Sequence, residues 1–281
     1  MTELVTDEEL LRRGAARLTE AGIGEPEEDA ARLLHRARAL GAQDTVAEVF
    51  DRLVAERARH VPMGYLAGTD TFMGHELAVD PRVQITRPVM RTVVEVCAEL
   101  VRGLAGAQPF PVVDVGTGNG ALAIALARLA PAARPIYATD LSADALEVAR
   151  LNVERAELAG HVVLREGHLL EPVPEPVGLV LANLPFVSAA MRGLLEPGVE
   201  ENEPATAVFG AGESGWGLQH ELLEQAGRRD VPPEAVVVTF HISQEREARA
   251  AAAGHLPGYE ISVRELRPGW SGVLVATRPR G

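Results

Sequence analysis

Apolar residues recur every three or four positions over the first sixty residues, the spacing that gathers them on one stripe of a helix. Thr6 followed by Glu9 reads as a capping box, and Leu10, Leu11, Ala15 and Leu18 continue the stripe behind it. A second helical stretch covers about Glu27 to Leu40 and a third Asp44 to Arg59, with Gly22-Ile23-Gly24 and Gly41-Ala42 as the turns. No strand pattern precedes Pro62, so residues 1–61 are expected to form a small helical domain. From Pro62 to Pro88 glycines and prolines interrupt the β-favouring runs Tyr65-Leu66-Ala67-Gly68 and His75-Glu76-Leu77-Ala78-Val79, which predicts a β-hairpin linker over 62–87. After a helix from about Pro88 to Leu104, strands are expected at 111–115, 135–140, 161–166, 177–183, 234–242, 259–266 and 271–277, with helices between the earlier ones. That alternation over 88–281 specifies an α/β fold with a doubly wound, mainly parallel seven-stranded sheet. The last two strands lack a helix between them and should pair antiparallel.

Composition narrows the picture without changing it. Of 281 residues 47% are hydrophobic and 24% charged, the profile of a globular chain able to bury a sizeable core. Aromatics are few, so Leu, Val and Ala must fill the interior. The single cysteine, Cys97, sits in an apolar run and is expected to be a buried small hydrophobe, which leaves no disulfide framework or zinc cluster; no metal is expected. The segment Met1-Thr2-Glu3-Leu4-Val5-Thr6-Asp7 lacks a basic stretch followed by an apolar one, and there is no membrane-length apolar run, so no membrane partner and a cytoplasmic location are the expectations. With 27 basic against 40 acidic residues the net charge is −13, which argues against a nucleic-acid partner.

Candidate chemistry begins at Pro111-Val112-Val113-Asp114-Val115-Gly116-Thr117-Gly118-Asn119-Gly120, a glycine-rich turn between a buried strand and an amphipathic helix. Glycines there let the backbone turn sharply and approach a ligand. Such a loop alone is a weak signal, and it could be no more than a tight strand–helix turn. Asp140, twenty residues after Gly120 and followed by Leu141, ends the next strand, where an acid can accept both hydroxyls of a ribose; capping the helix from Ser142 is the plainer alternative. Asp114 beneath the loop can brace backbone N–H groups or face a positive ligand group. The third strand ends in Glu166-Gly167-His168-Leu169, where Gly167 and His168 could contact an adenine, although His168 could equally be an exposed loop histidine.

Strand four delivers Asn183-Leu184-Pro185-Phe186 to the carboxyl edge of the sheet, where ligands bind in open α/β folds. The tetrapeptide resembles the Asn-Pro-Pro-Tyr signature of amino-methylating enzymes, which implies S-adenosyl-L-methionine as cofactor and a Rossmann-like class I methyltransferase sheet. A planar nitrogen is a poor nucleophile because its lone pair is delocalised. The Asn183 side-chain oxygen and the Leu184 carbonyl can accept its two hydrogens and aim it at the methyl group. Pro185 stiffens the turn, and the Phe186 ring covers the flat acceptor.

Over nearly its whole length the chain resembles the release-factor glutamine methyltransferases of the HemK type. The resemblance rests on the helical N-terminal segment, on Gly64-Tyr65-Leu66-Ala67-Gly68 through Phe72 and Val79 to Arg87-Pro88, on the glycine loop and the tetrapeptide, and on Glu203-Pro204 and Gly210-Ala211-Gly212-Glu213-Ser214-Gly215. It implies a glutamine side-chain amide as acceptor, a release factor as partner, substrate recognition by residues 1–61, and Phe72 and Arg87 beside the substrate. Departures cluster at the positions read as substrate-facing: Leu184 replaces proline, Phe186 replaces tyrosine, and Glu200-Glu201-Asn202-Glu203-Pro204 replaces an arginine and an aromatic before Glu-Pro. Glu200, Glu201 and Glu203 suit a cation, and a guanidinium pairs bidentately with carboxylates. The expectation drawn from them is a small-molecule amino-acid substrate, free arginine or a related guanidine, with Glu203 beside the reacting group; a solvated loop is the plainer reading of the acidic run. A release-factor modifier and a non-catalytic cofactor-binding module are the alternatives.

Overall fold

The computed structural model describes residues 5–40, 45–105 and 108–279. The Gly41-Ala42 turn and residues 1–4 of the N-terminal reading lie outside the described residues. Helices α1 (Asp7–Glu20), α2 (Pro26–Leu40) and α3 (Val46–Arg57) bury Leu10, Leu18, Leu33, Phe50 and Val54 against one another, with Met63 completing the cluster. Gly14 permits the close contact of α1 with α3, since a Cβ there would lie 2.5 Å from Cζ of Phe50. Thr6 caps α1 by accepting from the Glu9 amide at 3.3 Å, but the Glu9 carboxylate turns to Arg12, so the expected reciprocal box is only half made. The complete box lies at Thr45 and Glu48, ahead of α3.

The connecting segment differs from its expectation. Residues read as a strand form the short helix α4 (Met63–Ala67), closed by Gly68 at φ 77°. The hairpin consists of β1 (Thr69–Phe72) and β2 (His75–Ala78), joined through Met73 and Gly74, both at positive φ.

Helix α5 (Met90–Ala105) leads into β3 (Val112–Val115), α6 (Ala121–Leu129), β4 (Ile136–Asp140), α7 (Ala143–Arg155), β5 (Val162–Glu166) and β6 (Leu179–Ala182). The short helices α8 (Val199–Asn202) and α9 (Ala205–Val208) follow, then α10 (Gly217–Gly227), β7 (Ala235–His241), α11 (Glu245–His255), β8 (Glu260–Arg267) and β9 (Ser271–Thr277). The seven strands lie in the order β5-β4-β3-β6-β7-β9-β8, all parallel except β9, which runs antiparallel to both neighbours. Alternate residues enter opposite cores, as the two-residue period of a strand requires. Val112, Leu179 and Leu181 face the layer of α5 and α6, whereas Val113, Val180 and Ala182 face that of α10 and α11. Burial on both faces explains the uninterrupted apolar runs of the central strands. Cys97 is fully buried in the first layer, where desolvation pushes its thiol well above the usual range. No helix among the described residues is long and apolar enough to cross a membrane.

Candidate active site

The carboxyl ends of β3, β4, β5 and β6 surround a cavity of about 620 Å³ lined by Asp114, the Gly116-Thr117-Gly118-Asn119 turn, Asp140, Leu141, Gly167, His168 and Asn183. Gly116, Gly118 and Gly120 adopt φ of 71°, 55° and 82°, a region that side chains disfavour, so the turn needs its glycines. Its shape is held from β4. The Thr139 carbonyl accepts from the amides of Gly116 and Thr117 at 2.8 and 2.9 Å, and Asp140 accepts from the Gly118 amide at 2.9 Å with one oxygen and from the Ser142 amide at 2.9 Å with the other. Ser142 itself caps α7. Each Asp140 oxygen keeps a lone pair on a half-buried side chain at the cavity wall, the requirement for accepting from vicinal hydroxyls.

Asp114 is 1% exposed; one of its oxygens accepts from the Thr117 hydroxyl at 2.7 Å and the other has no partner. Desolvation, opposed by the Thr117 hydroxyl and reinforced by the charge of Asp140, pushes its carboxyl up to about 6. A buried, half-satisfied carboxylate beside a cavity suits a cationic ligand. These features fit S-adenosyl-L-methionine, which carries a sulfonium, an ammonium and a ribose diol. His168 lines the same cavity and is held by Glu221 at 2.9 Å.

A second cavity, of about 480 Å³, lies on the other side of the tetrapeptide. Asn183, Leu184 and Pro185 line both cavities, and Gln84 and Ala207 share that position. Phe186, Val89, Leu194, Leu195, Glu196, Arg267 and Trp270 are among the other residues that line the second. Asn183 Oδ1 accepts from the Thr239 hydroxyl at 2.8 Å. Gln219 donates to the carbonyls of Leu184 and Pro185 at 3.3 and 3.1 Å, and Gln244 donates to that of Phe186 at 2.9 Å.

Several expected site residues lie elsewhere. Phe72 is 5% exposed and packs in the α5–α6 core, lining neither cavity. Glu200 and Glu201 are exposed on α8, outside both cavities, and Glu200 pairs with Arg192. Glu203 is buried beneath the site rather than facing an acceptor, and one of its oxygens takes Arg87 at 2.6 Å while the other is unpartnered. Burial raises its pKa, against the lowering effect of Arg87. Arg87 does line the second cavity. None of the three carboxylates lines either cavity, and those of Glu200 and Glu203 are paired with arginines.

Residues the sequence reading missed include Thr239, Gln219 and Gln244, together with Asn152 on α7. Asn152 exchanges two hydrogen bonds with the Ala78 backbone, at 2.7 and 2.9 Å, and donates to the Asn119 carbonyl at 2.9 Å, tying the hairpin to the glycine turn. The available signal was a polar residue at a position that periodicity assigns to the core, as Thr239 is within the run Ala235–His241.

A loop that faces a cavity fitted to a methyl donor on one side and a second cavity on the other fits an S-adenosylmethionine-dependent N-methyltransferase of the Rossmann-like class, and this protein is such an enzyme. The methyltransferase small domain family matches residues 97–194. Release factor glutamine methyltransferase of Deinococcus radiodurans is 32% identical over 286 residues, covering 97% of this chain and 99% of that one. Its counterpart in Streptomyces coelicolor is 34% identical over 80% of this chain and 81% of its own. That of Gloeobacter violaceus is 38% identical over 60% of this chain and 57% of its own length. The chain belongs to the HemK-type release factor glutamine methyltransferase family. Among solved structures, the hMettl16 catalytic domain in complex with the MAT2A 3'UTR hairpin 6 superposes with a TM-score of 0.56 at 13% identity, covering 73% of this chain and 76% of that one, a likeness of fold alone.

Proposed function

We propose that the enzyme methylates the side-chain amide nitrogen of a glutamine presented by a peptide chain release factor. The observation that carries a neutral amide over a guanidinium is the state of the carboxylates around the second cavity. Among the described residues that line it, Glu196 is the one carboxylate and pairs with Arg267 at 2.9 Å, while Glu203 lies outside the lining, held by Arg87 at 2.6 Å, so a guanidinium would meet a lining that carries two arginines. The near full-length similarity to the Deinococcus radiodurans protein supports the same reading.

S-adenosyl-L-methionine, when bound, supplies an electrophilic methyl group on sulfur. The chain's own part is positioning. Asn183 Oδ1 and the Leu184 carbonyl each have a lone pair to accept one hydrogen of the amide NH₂, which holds the nitrogen's face toward the donor cavity. An amide nitrogen held in this way would be presented to that methyl group and would give up one N–H proton on accepting it. Val89, Leu194, Leu195 and Trp270 give the acceptor side an apolar surface.

The test is mass spectrometry of a purified release factor, free arginine and free glutamine, each incubated with enzyme and cofactor. One methyl group on one release-factor glutamine is expected, with arginine unchanged; methylated arginine beside an unmodified release factor overturns the proposal.

A further inference from the structure

Both groups assigned to receive the amide hydrogens are already engaged from below by a buried side chain that belongs to another element. Thr239, fully buried on β7, gives its hydroxyl hydrogen to Asn183 Oδ1 at 2.8 Å. Gln219, fully buried on α10, gives its amide hydrogens to the carbonyls of Leu184 and Pro185 at 3.3 and 3.1 Å. Neither Thr239 nor Gln219 lines either of the two cavities, so neither is placed to touch a molecule bound in them.

We infer that Thr239 is a positioning residue for methyl transfer, setting the plane of the Asn183 amide, with Gln219 doing the same for the Leu184 carbonyl. The inference rests on the reading of Asn183 as the amide-hydrogen acceptor. The terminal torsion of an asparagine is broad, so without a partner the Oδ1 lone pairs would sweep a wide arc. The Thr239 hydroxyl takes one of the two lone pairs and leaves the other directed at the acceptor cavity. Gln219 acts on the backbone beside it: a carbonyl at the exit of β6 that lies outside any ladder would otherwise rotate with its peptide plane. Gln219 Oε1 is itself buried without a partner, so this glutamine satisfies the loop's carbonyls at the expense of its own acceptor, which is what a side chain retained for the loop's geometry would do. The two positions come from different layers, β7 in the sheet and α10 beside it, so they constrain the loop from two directions.

The experiment compares Asn183→Ala, Thr239→Val and Thr239→Ser in cofactor affinity, acceptor KM and kcat. Asn183→Ala should abolish turnover while binding cofactor. Thr239→Val, close in shape but without the hydroxyl, should lower kcat about tenfold to a hundredfold, the scale of a misaligned reacting geometry. Its cofactor Kd should stay within about twofold of the parent, and Thr239→Ser should return kcat to within about threefold. Full activity in Asn183→Ala refutes the reading of the tetrapeptide itself. An inactive Asn183→Ala beside a fully active Thr239→Val refutes only the role of Thr239. A Thr239→Val that loses cofactor affinity in step with kcat, or a folded Thr239→Ser that is not restored, shows a structural role and overturns the inference. Should the valine variant not fold, Thr239→Ala is judged by the same criteria.

Discussion

Asp114 links folding, pH and cofactor binding in one buried carboxylate, and replacing it by asparagine tests all three. Its carboxyl is raised from an ordinary 3.8 to about 6, chiefly because burial disfavours the charged form. Keeping it ionised at neutral pH therefore costs the free enzyme about 3 kcal/mol. The sign follows from proton counts. Between 3.8 and 6 the folded chain holds a proton there that the unfolded chain releases, so this residue's contribution to stability is complete at acid pH and is lost as pH rises through about 6. The cofactor reverses the preference, because its positive charge favours the carboxylate; affinity should fall as pH drops below about 6, by at most about tenfold per pH unit.

Asp114→Asn removes the charge while keeping an oxygen to accept from Thr117. Without cofactor at pH 7.5 the variant should melt at or above the parent's temperature. Loss of a hydrogen bond to a charged group, about 1.5–3 kcal/mol, should weaken cofactor binding by roughly ten- to a hundredfold. Thermal melts and calorimetric titrations from pH 5 to 8 measure both. The parent's cofactor affinity should bend near pH 6 and the variant's should not. An Asp114→Asn protein that binds cofactor as tightly as the parent, or a parent whose affinity is flat across that range, refutes the reasoning.

Arg87→Met leaves Glu203 ionised and buried with neither oxygen paired to a cation. Breaking a fully buried pair costs about 3–5 kcal/mol, and the partial exposure of Arg87 reduces the expectation to about 1–3 kcal/mol. Because Glu203 already titrates above its ordinary range and would rise further, the deficit in melting temperature should shrink as pH falls toward 5; a deficit that grows in acid contradicts the assignment. Asn152→Leu removes three hydrogen bonds between α7, the hairpin and the glycine turn, a loss of about 2–3 kcal/mol in stability at about 1 kcal/mol each. It should also weaken cofactor binding through Asn119, measured by the same titration, and wild-type affinity in a destabilised variant would confine Asn152 to a structural role.

Most of the sheet was legible because strands buried on both faces read as continuous apolar runs, and each of the seven appears within a residue or two of its expected span. The segment from Met63 to Gly68 was not. Five residues carry too little periodicity to separate one helical turn from a strand, and what closes that turn is a left-handed glycine that either reading accommodates. The pairing of the acidic run was hidden for a different reason. Arg87 and Glu203 are 116 positions apart, and no local pattern shows that a carboxylate is already engaged by a cation so distant in sequence. Buried polar positions such as Thr239 and Gln219 were visible as exceptions to periodicity, but only the folded chain reveals what they bind.

The departures within the tetrapeptide acquire a different meaning from this structure. Leu184 was read as a change on the acceptor side, yet it is 5% exposed and belongs to the core of α10 and α11, and its Cδ2 lies 2.9 Å from where a Cβ on Gly116 would be placed. The residue therefore braces the loop against the cofactor turn, coupling the two ligand positions through packing. Phe186 packs with Val187, Val199 and Val208, and all four line the second cavity. The group proposed to act at Leu184 is its carbonyl, which every amino acid supplies. A change of side chain at Leu184 leaves that proposed hydrogen acceptor intact, so the replacement of proline there carries no weight for a new substrate, whereas the proposed role of Asn183 depends on a side-chain oxygen that no apolar residue can replace.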